Sequence, residues 1–324
     1  MTPHVVTVLD NSALSTLAEC STRGVVRYHL HQVPTTVEAE AAPLKAGTAV
    51  HAAVAHHLRG GTMVECLRVA EVLYRKWAEA TVPQKDRRMG WPNVQACLES
   101  WLETHPLETL PFAPVPELIE VPFAVRANNN LVLTGKLDAV GRDKSDGLYY
   151  IVETKTTGSN RDWWMDQWRL ASQVSHYTWC APHARPVVKV LGPEAKFGGT
   201  YINKIDMHLL PSDPHKKCKE HGGVPYAECG KRHASHEIQR FRRSSQQLRD
   251  WERGVTVLVE RWRQRTDPVQ TLDDVRQYTP QEGFFTGACV FCELQDWCAK
   301  GRTATHAFKE DRWEPVQQQA ITLV

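Results

Sequence analysis

Asp138, Glu153 and Lys155 are the residues to weigh first. Around Asp138 lie Leu131, Leu133, Leu137 and Val140 with small residues between them, a run suited to a mostly buried strand. Tyr149, Tyr150, Ile151 and Val152 form a second strand-like run, which stops at Glu153-Thr154-Lys155. Side chains alternate along a strand, so Glu153 and Lys155 face the same way, into space that Asp138 can share. Buried carboxylates cost free energy unless they are paired or bound to a cation. Two of them can hold Mg2+, whose other ligands are waters and phosphate oxygens. Such an ion polarises the phosphate and lowers the pKa of a bound water. A lysine beside it can orient that water or neutralise phosphate charge. Taken alone, Glu-Thr-Lys also reads as a strand-end salt bridge.

A helix-like run follows, on which Gln173 and Tyr177, four apart, share a face. The ordered set Gly135-x-x-Asp138, Glu153-x-Lys155 and Gln173-x-x-x-Tyr177 resembles the PD-(D/E)XK nuclease superfamily. It is most similar to the RecB/AddB-type branch and to the small iron–sulfur nucleases of CRISPR adaptation. The resemblance implies an α/β fold with a restriction-endonuclease-like core: a central mixed β-sheet flanked by helices, with the N- and C-termini joined by an iron–sulfur cluster. It implies that Asp138, Glu153, Lys155, Gln173 and Tyr177 are catalytic. In that branch a histidine on an upstream helix also binds metal, and Gly47-Thr-Ala-Val-His51 matches this element. The implied Mg2+ or Mn2+ ligands are therefore His51, Asp138, Glu153 and a carbonyl of Thr154. Some relatives place an acid one turn after the histidine, where this chain has Ala55 and His56.

Cysteines give a second signal. Cys289, Cys292 and Cys298 stand in C-x2-C-x5-C spacing, and Cys20 closes a short helix-like segment over residues 10–20. Four thiolates hold either an iron–sulfur cluster or a zinc ion, and reduced buried thiols are the third reading. One N-terminal cysteine with three C-terminal ones is the arrangement of the iron–sulfur branch, so the resemblance implies a 4Fe-4S cluster on Cys20, Cys289, Cys292 and Cys298. Residues 211–236 are a Cys/His insert in which His215, Cys218, Cys229 and His233 are spaced as a zinc site, with His221 and His236 as rival ligands. A surface loop rich in turn formers is the alternative.

The elements that must position these residues fall into segments. Residues 1–35 carry the first cluster cysteine, and 36–116 form a helical region with His51, ending in a proline-rich connector over 106–116. Residues 117–210 form the nuclease core, with its first strand expected over 118–125. The insert of 211–236 follows, then a strand and basic helix over 237–266, then the cluster region 267–324, whose tail beyond 300 has no clear pattern. Tyr74, Trp77, Cys66 and Cys97 are expected in the helical core. Trp163 and Trp164 either stack on unpaired bases or anchor the next helix. Arg240, Arg242, Arg243, Arg249, Arg253, Arg261, Arg263 and Arg265 either track a phosphate backbone or form a solvated face.

A chain of 324 residues with 42% apolar content can bury a sizeable core. Its formal charge of +2 leaves nucleic-acid binding to local patches. No signal-peptide pattern and no apolar run of membrane-spanning length is seen, so a cytoplasmic protein is expected, where structural disulfides are disfavoured. A Walker-type phosphate loop is missing, which argues against an ATP-driven helicase. The expectation is a metal-dependent deoxyribonuclease, an exonuclease more than an endonuclease, acting on DNA that is single-stranded or has a free end, in recombination, repair, phage replication or CRISPR adaptation. Its rival is a catalytically inactive DNA-binding or assembly protein with the same fold.

Overall fold

At Asp138 the chain crosses from one sheet to another. The computed structural model describes residues 6–35, 42–81, 90–158, 162–207, 217, 222–223, 236–302 and 307–313. The smaller sheet has the order β1-β5-β4, from Thr7–Leu9, Leu131–Leu137 and Val121–Asn128. β1 runs parallel to β5, and β4 antiparallel. The larger sheet has the order β3-β6-β7-β8-β9, from Phe112–Pro114, Ala139–Asp143, Tyr149–Thr157, Phe197–Asp206 and Glu237–Arg242. Its β7–β8 pair is parallel and its other neighbours are antiparallel, so it is mixed.

Helices cover both faces of the larger sheet. On one side α3 (Ala42–Leu58), α4 (Met63–Thr81) and α5 (Trp91–Thr104) enclose a core with Tyr150, Val152 and Tyr201. This core includes Tyr74, Trp77, Cys66 and Cys97, as expected from the sequence. Small residues on α3 let it lie close to the sheet: a Cβ on Gly47 would stand 3.3 Å from Thr156 Oγ1. On the other side α1 (Asn11–Glu19), α6 (Ser172–Cys180), α7 (Arg185–Leu191) and the long α8 (Ser245–Thr266) pack on Val140, Ile151, Leu133 and Leu137. Asp10 caps α1, and Ser244 with Gln247 forms a capping box on α8. On α8 one apolar stripe faces the core, with Val255 and Val259 buried and Trp251, Leu258 and Trp262 packed beside them.

The two ends of the chain meet. β2 (Gln32–Pro34) pairs antiparallel with β10 (Phe308–Glu310). Val25 and Val26 share a third core with Val275, Leu294 and Trp297. Arg23 pairs with Glu293 at 2.8 Å, and the Ser21 N–H donates to Glu282, itself paired with Arg265. Among the described residues no helix is long and apolar enough to cross a membrane.

Several expectations change. Asp138 lies at a bend between β5 and β6, not within one strand. Glu153 and Lys155 lie inside β7 rather than at its end, because β8 continues alongside and pairs as far as Asp206. The strand expected over 118–125 is β4 at Val121–Asn128, preceded by the 3-10 turn Pro116–Leu118, which Pro116 opens with its fixed φ. The 106–116 connector contains β3, and the tail beyond 300 contains β10. Both are three-residue strands, too short for periodicity to reveal.

Candidate metal centre

β7 places Glu153 and Lys155 on the face that looks toward α6, and Thr154 on the other. Asp138 follows the last residue of β5, next to the β6–β7 pairing of Ala139 with Val152. The Thr154 N–H donates to Asp138 Oδ2 at 2.8 Å. α3 supplies His51, whose Nδ1 lies 3.3 Å from the same Oδ2. Lys155 Nζ donates to Glu153 Oε1 at 2.6 Å. From α6, Gln173 Nε2 donates to Glu153 Oε1 at 2.8 Å and lies 3.4 Å from the Tyr177 hydroxyl. Gly135 leaves room for this packing: a Cβ there would come within 2.8 Å of Phe123 and 3.1 Å of Tyr177. The motif residues thus fall into two adjoining groups, Asp138 with His51 and the Thr154 N–H, and Glu153 with Lys155, Gln173 and Tyr177.

Glu120 also belongs here, and sequence reasoning passed over it as a strand residue. Ligand atoms of His51, Glu120 and Asp138 all lie within 4.8 Å of one another. Glu120 adopts a left-handed φ of 58°, and its N–H donates to the Asp138 carbonyl at 2.9 Å. Lys136 forms an ion pair with it. The acid that relatives carry one turn after the histidine is thus absent from α3, while an acid from the segment before β4 reaches the same imidazole. The available signal was an acid just before Val121-Pro122, where a proline restrains the strand start. A cleft of about 600 Å3 opens on this group, lined by the apolar Leu44, Val69 and Leu73 and by the basic Arg59, Lys136 and Lys155.

Electrostatics reflect the crowding. Burial, then the neighbouring Asp138, pushes the Glu153 carboxyl up to about 7. Burial also acts to raise Asp138, but the His51 imidazole and the Thr154 N–H outweigh it and hold that carboxyl below its usual range. Burial disfavours the charged form of His51, yet Asp138 wins and raises its pKa. The Tyr177 hydroxyl is pushed well above its ordinary value by burial and then by Glu153.

Glu153 Oε2 is buried and has no hydrogen-bond partner. A buried carboxylate oxygen without a donor is costly in an apolar setting and suits a divalent cation. The donor atoms that lie within reach of one ion are those of His51, Glu120 and Asp138, two carboxylates and an imidazole, which fit such an ion. Glu153 stands beside this set, close enough for Asp138 to raise its pKa.

A proton competes with that cation for Glu153 and His51. The apparent Mn2+ affinity is expected to rise about tenfold from pH 6 to pH 8 through Glu153 alone, given its pKa of about 7. Titration followed by electron paramagnetic resonance at the two pH values reads this, and a flat affinity contradicts it. In the metal-free protein the same shift has the opposite sense. Folded Glu153 keeps a proton that the unfolded chain releases, so its contribution is full below the ordinary value of 4.5 and is lost as pH rises toward 7.

The cysteines form a second group. Cys20, Cys289, Cys292 and Cys298 all line one void of about 150 Å3, together with Thr22, Arg23 and Phe284. All four are free thiols. Gly283 borders them, and a Cβ there would stand 2.8 Å from Cys289 Sγ and 3.6 Å from Cys20 Sγ. Burial, then the neighbouring thiols, raises Cys298 to about 11. Four thiols around a shared void, with burial pushing Cys292 and Cys298 up, fit a cationic group that would stabilise the thiolates.

His215, Cys218, Cys229 and His233, and the rival His221, lie outside the described residues. His236 accepts a hydrogen bond from the Asp206 N–H at Nδ1, 3.2 Å away. Trp164 packs edge-on against Trp168 over a small core of Met165, Val174, Ile202 and Phe241, which is the anchoring alternative, whereas Trp163 is 53% exposed. Most of the arginines are engaged within the protein. Arg240 and Arg242 pair with Asp146, Arg243 donates to Ser175 and Ala171, Arg253 pairs with Asp250, and Arg263 holds Thr7 and Asn130. These contacts brace the sheet and helix edges.

Fold and site together define an α/β protein suited to divalent-cation chemistry on a phosphodiester. The chain belongs to the PD-(D/E)XK nuclease superfamily, whose family model matches residues 11–299. That membership implies a metal-dependent nuclease with DNA as its substrate. No curated protein matches the chain. Among solved structures, the crystal structure of SSO0001 is similar over 87% of this chain and 96% of its own, with 14% identity and a TM-score of 0.30, too low to carry an argument.

Proposed function

We propose that this protein is a DNA exonuclease that prefers single strands or free ends and uses Mg2+ or Mn2+. The observation that carries the reading is the buried, unpartnered Glu153 Oε2 in the cluster where His51 meets Asp138 and Lys155 meets Glu153. Asp138, Glu153, His51 and the Thr154 carbonyl would hold the cation, with Glu120 as a further ligand. When bound, the ion supplies Lewis-acid polarisation of the phosphate and lowers the pKa of water at the site.

The chain's own residues do the rest. Lys155 places a positive charge where negative charge develops on the phosphate and helps orient the attacking water. Gln173, restrained beside the Tyr177 hydroxyl, fixes the Glu153 carboxylate so that one oxygen stays committed and the other free. The Thr154 N–H and His51 hold Asp138 in its ionised form. A strand enters through the cleft beside Glu120. Its volume of about 600 Å3 is that of a small-ligand pocket, which suits a strand end better than a duplex.

The same reading assigns a 4Fe-4S cluster to Cys20, Cys289, Cys292 and Cys298. A zinc ion would draw its sulfurs to about 2.3 Å from one centre. A void of about 150 Å3 between the thiols suits a larger group. The cluster acts as a staple between the chain ends, and no redox step is assigned to it. Recombination, repair, phage replication and CRISPR adaptation are the processes such an enzyme serves.

End-labelled linear and circular single- and double-stranded DNA, incubated with Mg2+ or Mn2+, test the reading. Linear single strands are expected to shorten from an end, circles to persist, and chelation to stop the reaction. Cleavage of circles at the same rate contradicts the exonuclease assignment, and no cleavage of any form contradicts the nuclease.

A further inference from the structure

A second lysine stands beside the acid–lysine set with no role in it so far. The parallel register of β7 and β8 sets Lys204 directly next to Lys155. Neighbouring strands lie about 4.8 Å apart, so the two side chains rise from one face as close neighbours. Lys204 is only 5% exposed. Lys155 has Glu153 as its counter-ion, whereas no carboxylate pairs with Lys204 among the described residues. Its Nζ instead sits 5.7 Å from the centroid of the Trp164 ring. Lys155 Nζ sits 5.4 Å from the centroid of Trp168. The two indoles meet edge-on with centroids 5.7 Å apart.

This arrangement is unfavourable in the free protein. Like charges on directly opposed strand positions repel, and a mostly buried ammonium needs an anion nearby. The indole faces offset part of that cost. They also fix both ammonium groups on one shelf, braced from below by Ile202 and Val174. Glu237 opposes Lys204 in the β8–β9 register without closing an ion pair on it, so a DNA strand laid across β7 onto β8 would bring the paired charge that Lys204 lacks, one phosphate after another.

We propose that Lys204 is the seat for the phosphate that flanks the scissile one. Lys155 serves the reacting phosphate at the metal centre, and Lys204, one strand over, takes its neighbour. Trp164 keeps the Lys204 ammonium in place, so its role is positioning. The inference rests on the nuclease reading and deepens it by giving the bound strand a direction, from the metal centre across β8.

Fluorescence anisotropy of a labelled single-stranded oligonucleotide, with Ca2+ in place of Mg2+ and over a series of salt concentrations, tests it. Lys204→Met is expected to weaken binding roughly tenfold at low salt, the loss of one charged contact. It is also expected to lower the slope of log affinity against log salt by about 0.7, the value of one phosphate contact on a single strand. Lys204→Arg should keep both wild-type values. A second measurement needs no folded variant: single methylphosphonates are placed along the oligonucleotide and bound to the wild-type protein. One position flanking the cleaved bond should reproduce the loss in affinity and slope. Wild-type affinity and slope in Lys204→Met, or no sensitive flanking position, overturns the assignment while leaving the nuclease standing. A wild-type protein that neither binds nor cuts the oligonucleotide overturns the nuclease reading, and this inference with it.

Discussion

Asp138→Ala and Lys155→Ala are each expected to slow single-turnover cleavage by about a thousandfold or more while the protein stays folded. Asp138 is shared between two partners, accepting from the Thr154 N–H and facing the His51 imidazole. Its loss removes a carboxylate from the cation and leaves His51 without its counter-charge. The fold should survive, because Asp138 sits at the bend between two sheets whose strands are held by their own ladders and by apolar neighbours such as Leu137 and Ala139. Lys155 is a cleaner case. Its ammonium is partly exposed and pairs, among the described residues, with Glu153 and the Trp168 ring, so the alanine variant loses little packing. It should still bind the cation, which separates its role from that of Asp138. Circular dichroism and melting temperature check the fold. Full activity in either purified variant contradicts the site.

Cys289→Ala is expected to act on stability instead. One thiol is removed from a shared void that borders both chain ends, where Cys20 comes from the N-terminal segment and the other three from the C-terminal region. The protein should lose its brown colour and iron, and its melting temperature should fall by roughly 10 °C or more, because a structural metal group contributes directly to folding. The third core, the β2–β10 pair, the Arg23–Glu293 ion pair and the Ser21 N–H donating to Glu282 also hold the ends together, so a residual folded population is expected at low temperature. A colourless variant of unchanged stability would sink the staple. Wild-type protein that contains zinc and no iron would sink the cluster.

Much of this centre was legible in the sequence because each part obeys a short-range rule. Alternation on β7 places Glu153 and Lys155 together, and the four-residue spacing on α6 places Gln173 beside Tyr177. Glu120 was not legible. It reaches His51 through a left-handed residue in an irregular segment, and no periodicity records that turn. The split of the sheet at Asp138 was hidden for a related reason. The apolar run continues across the bend, so the pattern from Leu131 to Val140 looks like one strand although its halves pair with different partners. The density of arginines in β9 and α8 left a phosphate track and a solvated face equally open, and their partners Asp143, Asp146 and Asp250, far away or close by in sequence, were not legible. Lys204 was invisible as well, because its meaning depends on which strand lies beside β7.

The claim beneath all of this is that Asp138 and Glu153, with His51 alongside, hold a single divalent cation at the mouth of the cleft. Mn2+ titration followed by electron paramagnetic resonance at pH 8, run on the wild-type protein and on Asp138→Ala, tests it most directly. The account predicts one tight site in the wild type that is lost or greatly weakened in the variant. Equal Mn2+ binding by the two proteins, or none by the wild type, contradicts it.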